Sequence, residues 1–168
     1  MPAIVLTHPT AGAGSTPLSV SLPGNLLWVD EYGWSAITSV KKYTGEGALV
    51  VDQWPKLAGR PITLQGEQDR AWCDRGLLNT LRAWSSQFGA DNQPLVLTLA
   101  INGATYDVIF DHEQSSPIQA DPLTDLLGGP GRYTVHNDAG QVVVDVDVDY
   151  FNPQPTDPFV VTLRFTEM

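Results

Sequence analysis

Two β-rich runs, residues 95–101 and 104–110, meet at Asn102-Gly103 and give the strongest local signal in this sequence. An Asn-Gly pair favours a two-residue type I′ turn, because both central positions of that turn need a positive φ. In each run the apolar side chains recur at every second position, which places them on one face of a strand. The sequence therefore predicts an antiparallel hairpin with one buried face.

Several further short runs of β-forming residues are separated by Gly, Pro, Asp and Lys, a pattern typical of strands joined by turns. They cover residues 26–29, 36–40, 48–51, 61–65, 142–150 and 159–165. No internal repeat is visible. Many short strands with few helical segments indicate a β-sandwich or a barrel-like core.

One segment has a helical period instead. Its apolar residues fall at i, i+4, i+7 and i+11, which stacks them on one face: Leu77, Leu81, Trp84 and Phe88. Asp74 before the run is a plausible N-cap, and Gly89 after it is a plausible C-terminal stop. The sequence predicts one helix, about residues 74–88, docked on the sheet by this stripe.

The chain divides into two parts by composition. Residues 1–24 are rich in Pro, Gly, Ser and Thr and are predicted to form an extended N-terminal arm. Residues 25–168 are predicted to form a single strand-rich domain, interrupted by a long Pro- and Gly-rich loop at about 111–132. The predicted fold class is therefore mainly β with one packed α-helix, a β-sandwich or barrel-like core, and an arm.

Charge excludes some partners. The chain of 168 residues carries a net charge of −10, so its surface repels phosphate backbones and anionic lipid headgroups. We expect no direct nucleic-acid recognition. No stretch approaches the roughly 20 apolar residues of a membrane span, so we expect no membrane insertion. The first residues lack the basic start of a secretory signal, which favours a cytoplasm-like compartment unless the protein leaves in a larger particle.

The sequence comes nearest to a metal-binding motif in the D-x-D-x-D row of Asp145, Asp147 and Asp149. A calcium-binding EF-hand loop that opens in this way needs a Gly at its sixth position and a Glu at its twelfth. Those positions hold Tyr150 and Thr156. In a strand, carboxylates two residues apart are also too widely spaced for three of them to chelate one ion. We expect a solvated strand face and no metal site, with a surface cation as the alternative.

Candidate catalytic residues are scattered. The three histidines show no metal-binding spacing: His8, His112 and His136. The run Asp111-His112-Glu113 could place a base between carboxylates, but its position just past a predicted strand favours a solvated strand end. Cys73 is alone at a predicted helix start, where thiol pKa values fall, but no His can be assigned to it. We expect no enzyme and no cofactor.

Five stretches together resemble the small tail proteins of long-tailed bacteriophages. They are residues 22–34 (LPGNLLWVDEYGW), 59–66 (GRPITLQG), the helical Leu81-Arg82-Ala83-Trp84, 102–110 (NGATYDVIF) and 161–165 (VTLRF). Their order and spacing carry the likeness, which spans about two-thirds of the chain. Among these proteins the sequence is most similar to the distal tail protein. Segment 111–157 departs from the shortest pattern of that family.

This resemblance implies a homo-oligomeric ring, a hexamer in that family, that continues the tail tube. Such an adaptor contacts other tail proteins: the tube, the tail-tip or baseplate hub, and receptor-binding proteins. It is assembled in the cytoplasm of the bacterial host and resides at the tail tip of the virion. A different tail ring (tube or tube terminator) and a carbohydrate-binding β-sandwich module stay open as alternatives.

The candidate oligomer interface lies in the predicted arm. Ile4, Val5 and Leu6 form an apolar patch that a lone domain has little reason to expose. A heterologous contact between neighbouring copies in a closed ring would cover such a patch.

Overall fold

The computed structural model describes residues 3–113, 116–123, 130–136, 139–149 and 153–168, without the side chains of 130–136 and 143–149. These residues form thirteen strands, one α-helix, α1 (Arg75–Ser85), and one 3-10 turn, Ala90–Asn92. The strands are β1 (Ile4–Gly12), β2 (Thr16–Leu22), β3 (Leu27–Trp28), β4 (Ile37–Tyr43), β5 (Leu49–Pro55), β6 (Pro61–Gln65), β7 (Trp72–Asp74), β8 (Leu97–Ile101), β9 (Ala104–Phe110), β10 (Ile118–Pro122), β11 (Pro130–His136), β12 (Val142–Asp149) and β13 (Pro158–Glu167). The predicted mainly β fold with one packed helix is confirmed.

Nine of these strands form one antiparallel sheet in the order β2-β1-β8-β9-β13-β6-β3, with β10 and β7 also paired to β13. The centre of the sheet is β13, which has β10 and β9 along one edge and β7 and β6 along the other. The remaining strands form two separate two-stranded hairpins, β4–β5 and β11–β12.

The core lies on one face of the nine-stranded sheet. Alternate residues of its strands are buried, as the period of two requires. They include Ile4, Leu6, Ile62, Leu64, Leu97, Leu99, Ile101, Val108, Phe110, Val161, Leu163 and Phe165. The predicted hairpin at Asn102-Gly103 is confirmed, since both residues have a positive φ and Ile101 pairs with Ala104.

The sheet is strongly curved. Strands β3 and β9 are separated in the sheet by β13 and β6, so a flat sheet would hold them about 14 Å apart. Instead the Trp28 and Tyr106 rings meet edge to face with their centroids 5.6 Å apart. The Arg60 guanidinium lies 4.5 Å from the Trp28 ring centroid and donates a hydrogen bond to the Glu31 carbonyl oxygen. This cluster ties the sheet's edge back towards its centre.

Helix α1 packs on the core face through Leu78, Leu81 and Trp84. Asp74 is the N-cap residue, but its side chain makes no capping bond. The first helical N–H groups donate instead to main-chain carbonyls of the segment before β13: Arg75 to Asp157 and Gly76 to Pro155. The Arg75 guanidinium also pairs with the buried Asp157 carboxylate at 3.0 Å.

Phe88 does not belong to the docking stripe, contrary to the prediction. The helix ends at Ser85, and Phe88 is 74% exposed. The Ser85 and Ser86 hydroxyls both donate to the Arg82 carbonyl oxygen. These side-chain bonds compete with the main-chain N–H that would bind the same oxygen if the helix continued. Gly89 is not the helix stop either, because it precedes the 3-10 turn.

The predicted N-terminal arm is wrong. Residues 4–22 form the β1–β2 hairpin, and β1 lies inside the sheet between β2 and β8. The Pro- and Gly-rich stretch between them is the end of this hairpin. At this end the main chain of residue 12 lies so close to Thr16 that only glycine fits. A β-carbon on Gly12 would come within 2.8 Å of the Thr16 carbonyl oxygen.

The predicted loop at 111–132 is interrupted by two strands. Strand β10 pairs with β13 from Ile118 to Pro122, and β11 begins at Pro130. The segment Ile118-Gln-Ala-Asp-Pro122 contains one large apolar side chain, so it has no alternating pattern that would have indicated a strand. Its pairing depends on the main chain of β13 rather than on its own side chains.

Candidate functional site

The most exposed apolar feature of the described structure is the β4–β5 hairpin. Every residue of β5 is exposed, as is every residue of β4 except Thr38. The exposed set includes seven large apolar side chains: Ile37, Val40, Tyr43, Leu49, Val50, Val51 and Trp54. A lone two-stranded hairpin is marginally stable in water. An exposed apolar surface of this size is typical of a site that binds another protein surface.

The register of the hairpin separates these side chains into two faces. Ile37, Tyr43, Leu49 and Val51 share one face with Lys41, because cross-strand partners point to the same side. We call this set the front face. Among the residues of that face Lys41 carries the only charge. The opposite face, which we call the back face, holds Val40, Lys42, Val50, Asp52 and Trp54.

The hairpin region also concentrates positive charge. All three lysines of the chain lie in it or beside it: Lys41, Lys42 and Lys56. The Lys56 ammonium lies 5.7 Å from the Trp34 ring centroid, and the Lys56 N–H donates to the Ala36 carbonyl oxygen at 2.8 Å. Residues 37–56 hold these three lysines against Glu46 and Asp52, so the region has a net charge of +1 in a chain of net charge −10.

A second apolar surface is a groove at the end of α1. It has a volume of about 670 Å³ and is lined by Phe88, Leu95, Ile109 and Phe110, with Asp111 and Glu113 at its acidic rim. Asp111 Oδ1 accepts a hydrogen bond from the Glu113 main-chain N–H at 2.9 Å, which holds the Asp111 carboxylate against this turn. His112 also lines the groove and is exposed. No residue of the β4–β5 hairpin lines this groove.

The candidate interface at Ile4, Val5 and Leu6 is wrong for two of its three residues. Ile4 is 3% exposed and Leu6 is fully buried, both within the chain's own core. Val5 points to the other side of β1 and is half-buried. These side chains stabilise the monomer, so Ile4 and Leu6 offer no surface to a neighbouring copy.

His8 is a structural residue of the core. Its Nδ1 accepts the Thr10 N–H at 3.1 Å, so Nε2 carries the proton and donates to Gln87 Oε1 at 3.1 Å. The ring also packs on Trp84, with centroids 5.1 Å apart. The three histidines are not brought together: His8 is buried, His112 is exposed at the groove, and the His136 side chain lies outside the described residues.

Cys73 lies in β7 and is fully buried. Its burial, and secondarily the Asp74 carboxylate beside it, raise the thiol pKa from 9.0 to about 12. The lowered pKa that a helix start would give is therefore not found. A neutral thiol at neutral pH is a poor nucleophile and a poor metal ligand.

We therefore expect the folded protein to resist thiol reagents at pH 8 and to react once denaturant is added. The unfolded chain releases the thiol proton near pH 9.0 and the folded chain near pH 12, so the free energy of unfolding should fall as the pH rises between these values. The slope from this group is at most about 1.4 kcal/mol per pH unit. Denaturant titrations alongside Cys73→Ala, which lacks the group, measure it. Rapid labelling of the folded protein at pH 8 would contradict the buried assignment.

For Asp145, Asp147 and Asp149 the structure describes the backbone alone, so the expectation that they bind no metal stays a prediction. The three residues lie in β12, as predicted, but their side chains lie outside the described residues. In the part of the chain whose side chains are described, no three His, Cys, Asp or Glu residues are grouped to hold a metal ion. No helix of the described structure is long and apolar enough to span a membrane.

Comparisons with family models, with curated proteins and with solved structures found no significant match. The interaction surfaces are therefore assigned from geometry and charge. The strands of the hairpin were predicted from sequence, but their exposure on both faces was not. The signal was present: in β4 and β5 charged and apolar residues occupy both alternating sets, which is not the pattern of a strand with one buried face.

Proposed function

We propose that this chain is a structural component of a bacteriophage tail, a ring-forming adaptor that joins the tail tube to the tail tip or baseplate. The observation that carries the proposal is the β4–β5 hairpin, whose apolar side chains are exposed on both faces. The stretches that resemble distal tail proteins add the class of assembly and its place at the tail tip.

Self-association is the simplest way to cover this hairpin. Every copy presents the same hairpin. In a closed ring the hairpin of each copy can bind one neighbour, while another surface of that copy binds the hairpin of the other neighbour. Burial of apolar area at about 25 cal/mol per Å² favours such a contact once the ordering cost is met. The nine-stranded sheet has its own core, so the fold of one copy does not depend on the neighbour.

The proposal predicts that the purified chain forms a closed oligomer. Native mass spectrometry and negative-stain electron microscopy should show rings, with six copies expected from the resemblance. In phage particles that carry the chain, gold-labelled antibodies against it should mark the end of the tail. A protein that stays monomeric at high concentration and binds glycans would favour the carbohydrate-binding module instead.

Replacing two hairpin side chains tests whether the hairpin forms the ring contact. Tyr43→Ser with Leu49→Ser removes side chains that are 76% and 50% exposed, so the monomer should keep its melting temperature within about 2 °C while the oligomer dissociates. The matched control, Leu57→Ser with Val29→Ser, removes side chains that are 95% and 48% exposed outside the hairpin. Size-exclusion chromatography with light scattering compares the two. Equal loss of assembly in both would contradict a specific role of the hairpin.

A further inference from the structure

The front face of the hairpin and the groove at the end of α1 are both uncovered apolar surfaces in the described chain. They differ in charge. The front face carries Lys41, and the rim of the groove carries Asp111 and Glu113. They also differ in shape, because a hairpin is a ridge and the groove is a concavity. Since no hairpin residue lines the groove, the two surfaces do not meet within one copy.

We infer that the front face of one copy's hairpin docks in the groove of the next copy, with Lys41 facing the carboxylates of Asp111 and Glu113. The inference rests on the proposed ring and specifies its contact. It makes the contact heterologous, since two different patches meet, and contacts of this kind generate rings or filaments rather than two-fold dimers.

Charge is the argument for a second copy as the occupant. Copies of net charge −10 repel each other, so a stable contact between them needs a local site where opposite charges meet. The front face holds Lys41 as its one charged residue, and the lining of the groove holds the carboxylates of Asp111 and Glu113. One surface thus supplies the cation that the other lacks.

The apolar parts are also complementary. Phe88 is 74% exposed in the groove, and Tyr43 is 76% exposed on the front face. Leu95 and Ile109 in the groove are half-buried, as expected for the floor of a site that another surface completes. Aromatic side chains buried at the centre of an interface contribute much of its binding energy.

Disulfide trapping tests the contact directly. One protein carries Lys41→Cys and a second carries Glu113→Cys, and the native Cys73 is buried and does not compete. Mixed under mild oxidation, the two should give cross-linked dimers that contain one copy of each. The control is Lys42→Cys, whose side chain points to the back face and should cross-link at least about tenfold less.

Charge reversal gives a second readout. Lys41→Glu and Glu113→Lys should each raise the concentration at which the ring half-dissociates by about tenfold at low salt. The chain with both substitutions should recover most of this loss, because the two charges are exchanged. Lys42→Glu should change the midpoint by less than about twofold. High salt should reduce all of these differences.

The outcomes separate the two proposals. Rings that form without the Lys41–Glu113 cross-link, and without rescue by the double reversal, would overturn this contact and leave the ring proposal standing. Equal cross-linking from positions 41 and 42 would also overturn it. A chain that forms no oligomer under any condition would overturn both proposals.

Discussion

A chain that lacks residues 1–16 is expected to lose its cooperative unfolding transition and its native far-UV circular dichroism. The deletion removes β1, the strand that lies between β2 and β8, together with the buried side chains of Leu6 and Ile4. Truncation of one such buried side chain to Ala lowers the free energy of unfolding by about 2–5 kcal/mol. A domain of this size is stable by only about 5–15 kcal/mol in total, so loss of the whole strand exceeds the margin.

Point variants test the same idea without a deletion. Leu6→Ala should lower the free energy of unfolding by about 2–5 kcal/mol, measured by urea denaturation with an unchanged m-value. The matched control is Leu18→Ala in β2, whose side chain is 40% exposed. We expect a change there of at most about 1 kcal/mol. A truncated chain that keeps a sharp native transition would show that residues 1–16 are dispensable after all.

Trp84→Ala is expected to lower the free energy of unfolding by about 3–5 kcal/mol. Trp84 is 3% exposed, packs on His8, and lies in the last turn of α1 on the helix face that meets the sheet. Its removal leaves a cavity between α1 and β1 that neither element can close without moving.

Phe88→Ala is the control for Trp84, since it removes a nearby aromatic ring that is 74% exposed. Its effect on monomer stability should stay within about 0.5 kcal/mol. Thermal and urea unfolding of the two variants, done on dissociated protein, compare them. Equal destabilisation would mean that Phe88 packs on the core in solution and that the helix extends further than Ser85.

The strands with local signals were predictable and the others were not. Asn102-Gly103 dictates its own hairpin, and Leu81 and Trp84 mark the helix by period alone. Strand β1 was missed because Pro9 and the Gly-rich run after it indicate an arm. Pro9 is tolerated because it lies in the irregular stretch between His8 and Gly12, beyond the residues that pair with β8.

The interaction surfaces were beyond sequence reasoning for a related reason. An apolar run such as Ile4-Val5-Leu6 predicts burial but does not say whether the chain itself or a neighbour provides it. Ile4 and Leu6 are covered by the monomer, whereas Tyr43 and Leu49 are left in solvent. That distinction depends on which strands pair across long sequence separations, which no local pattern encodes.

The central place of β13 has a consequence for biosynthesis. All four of its partners, β6, β7, β9 and β10, precede it in the chain. During translation the edges of these strands that pair with β13 therefore stay without a partner until residues 158–167 leave the ribosome. Sheets that depend on such distant pairing fold slowly, and their open edges can associate with other chains in the meantime. In a cell making many copies at once, chaperone capacity and growth temperature should govern the soluble yield of this protein.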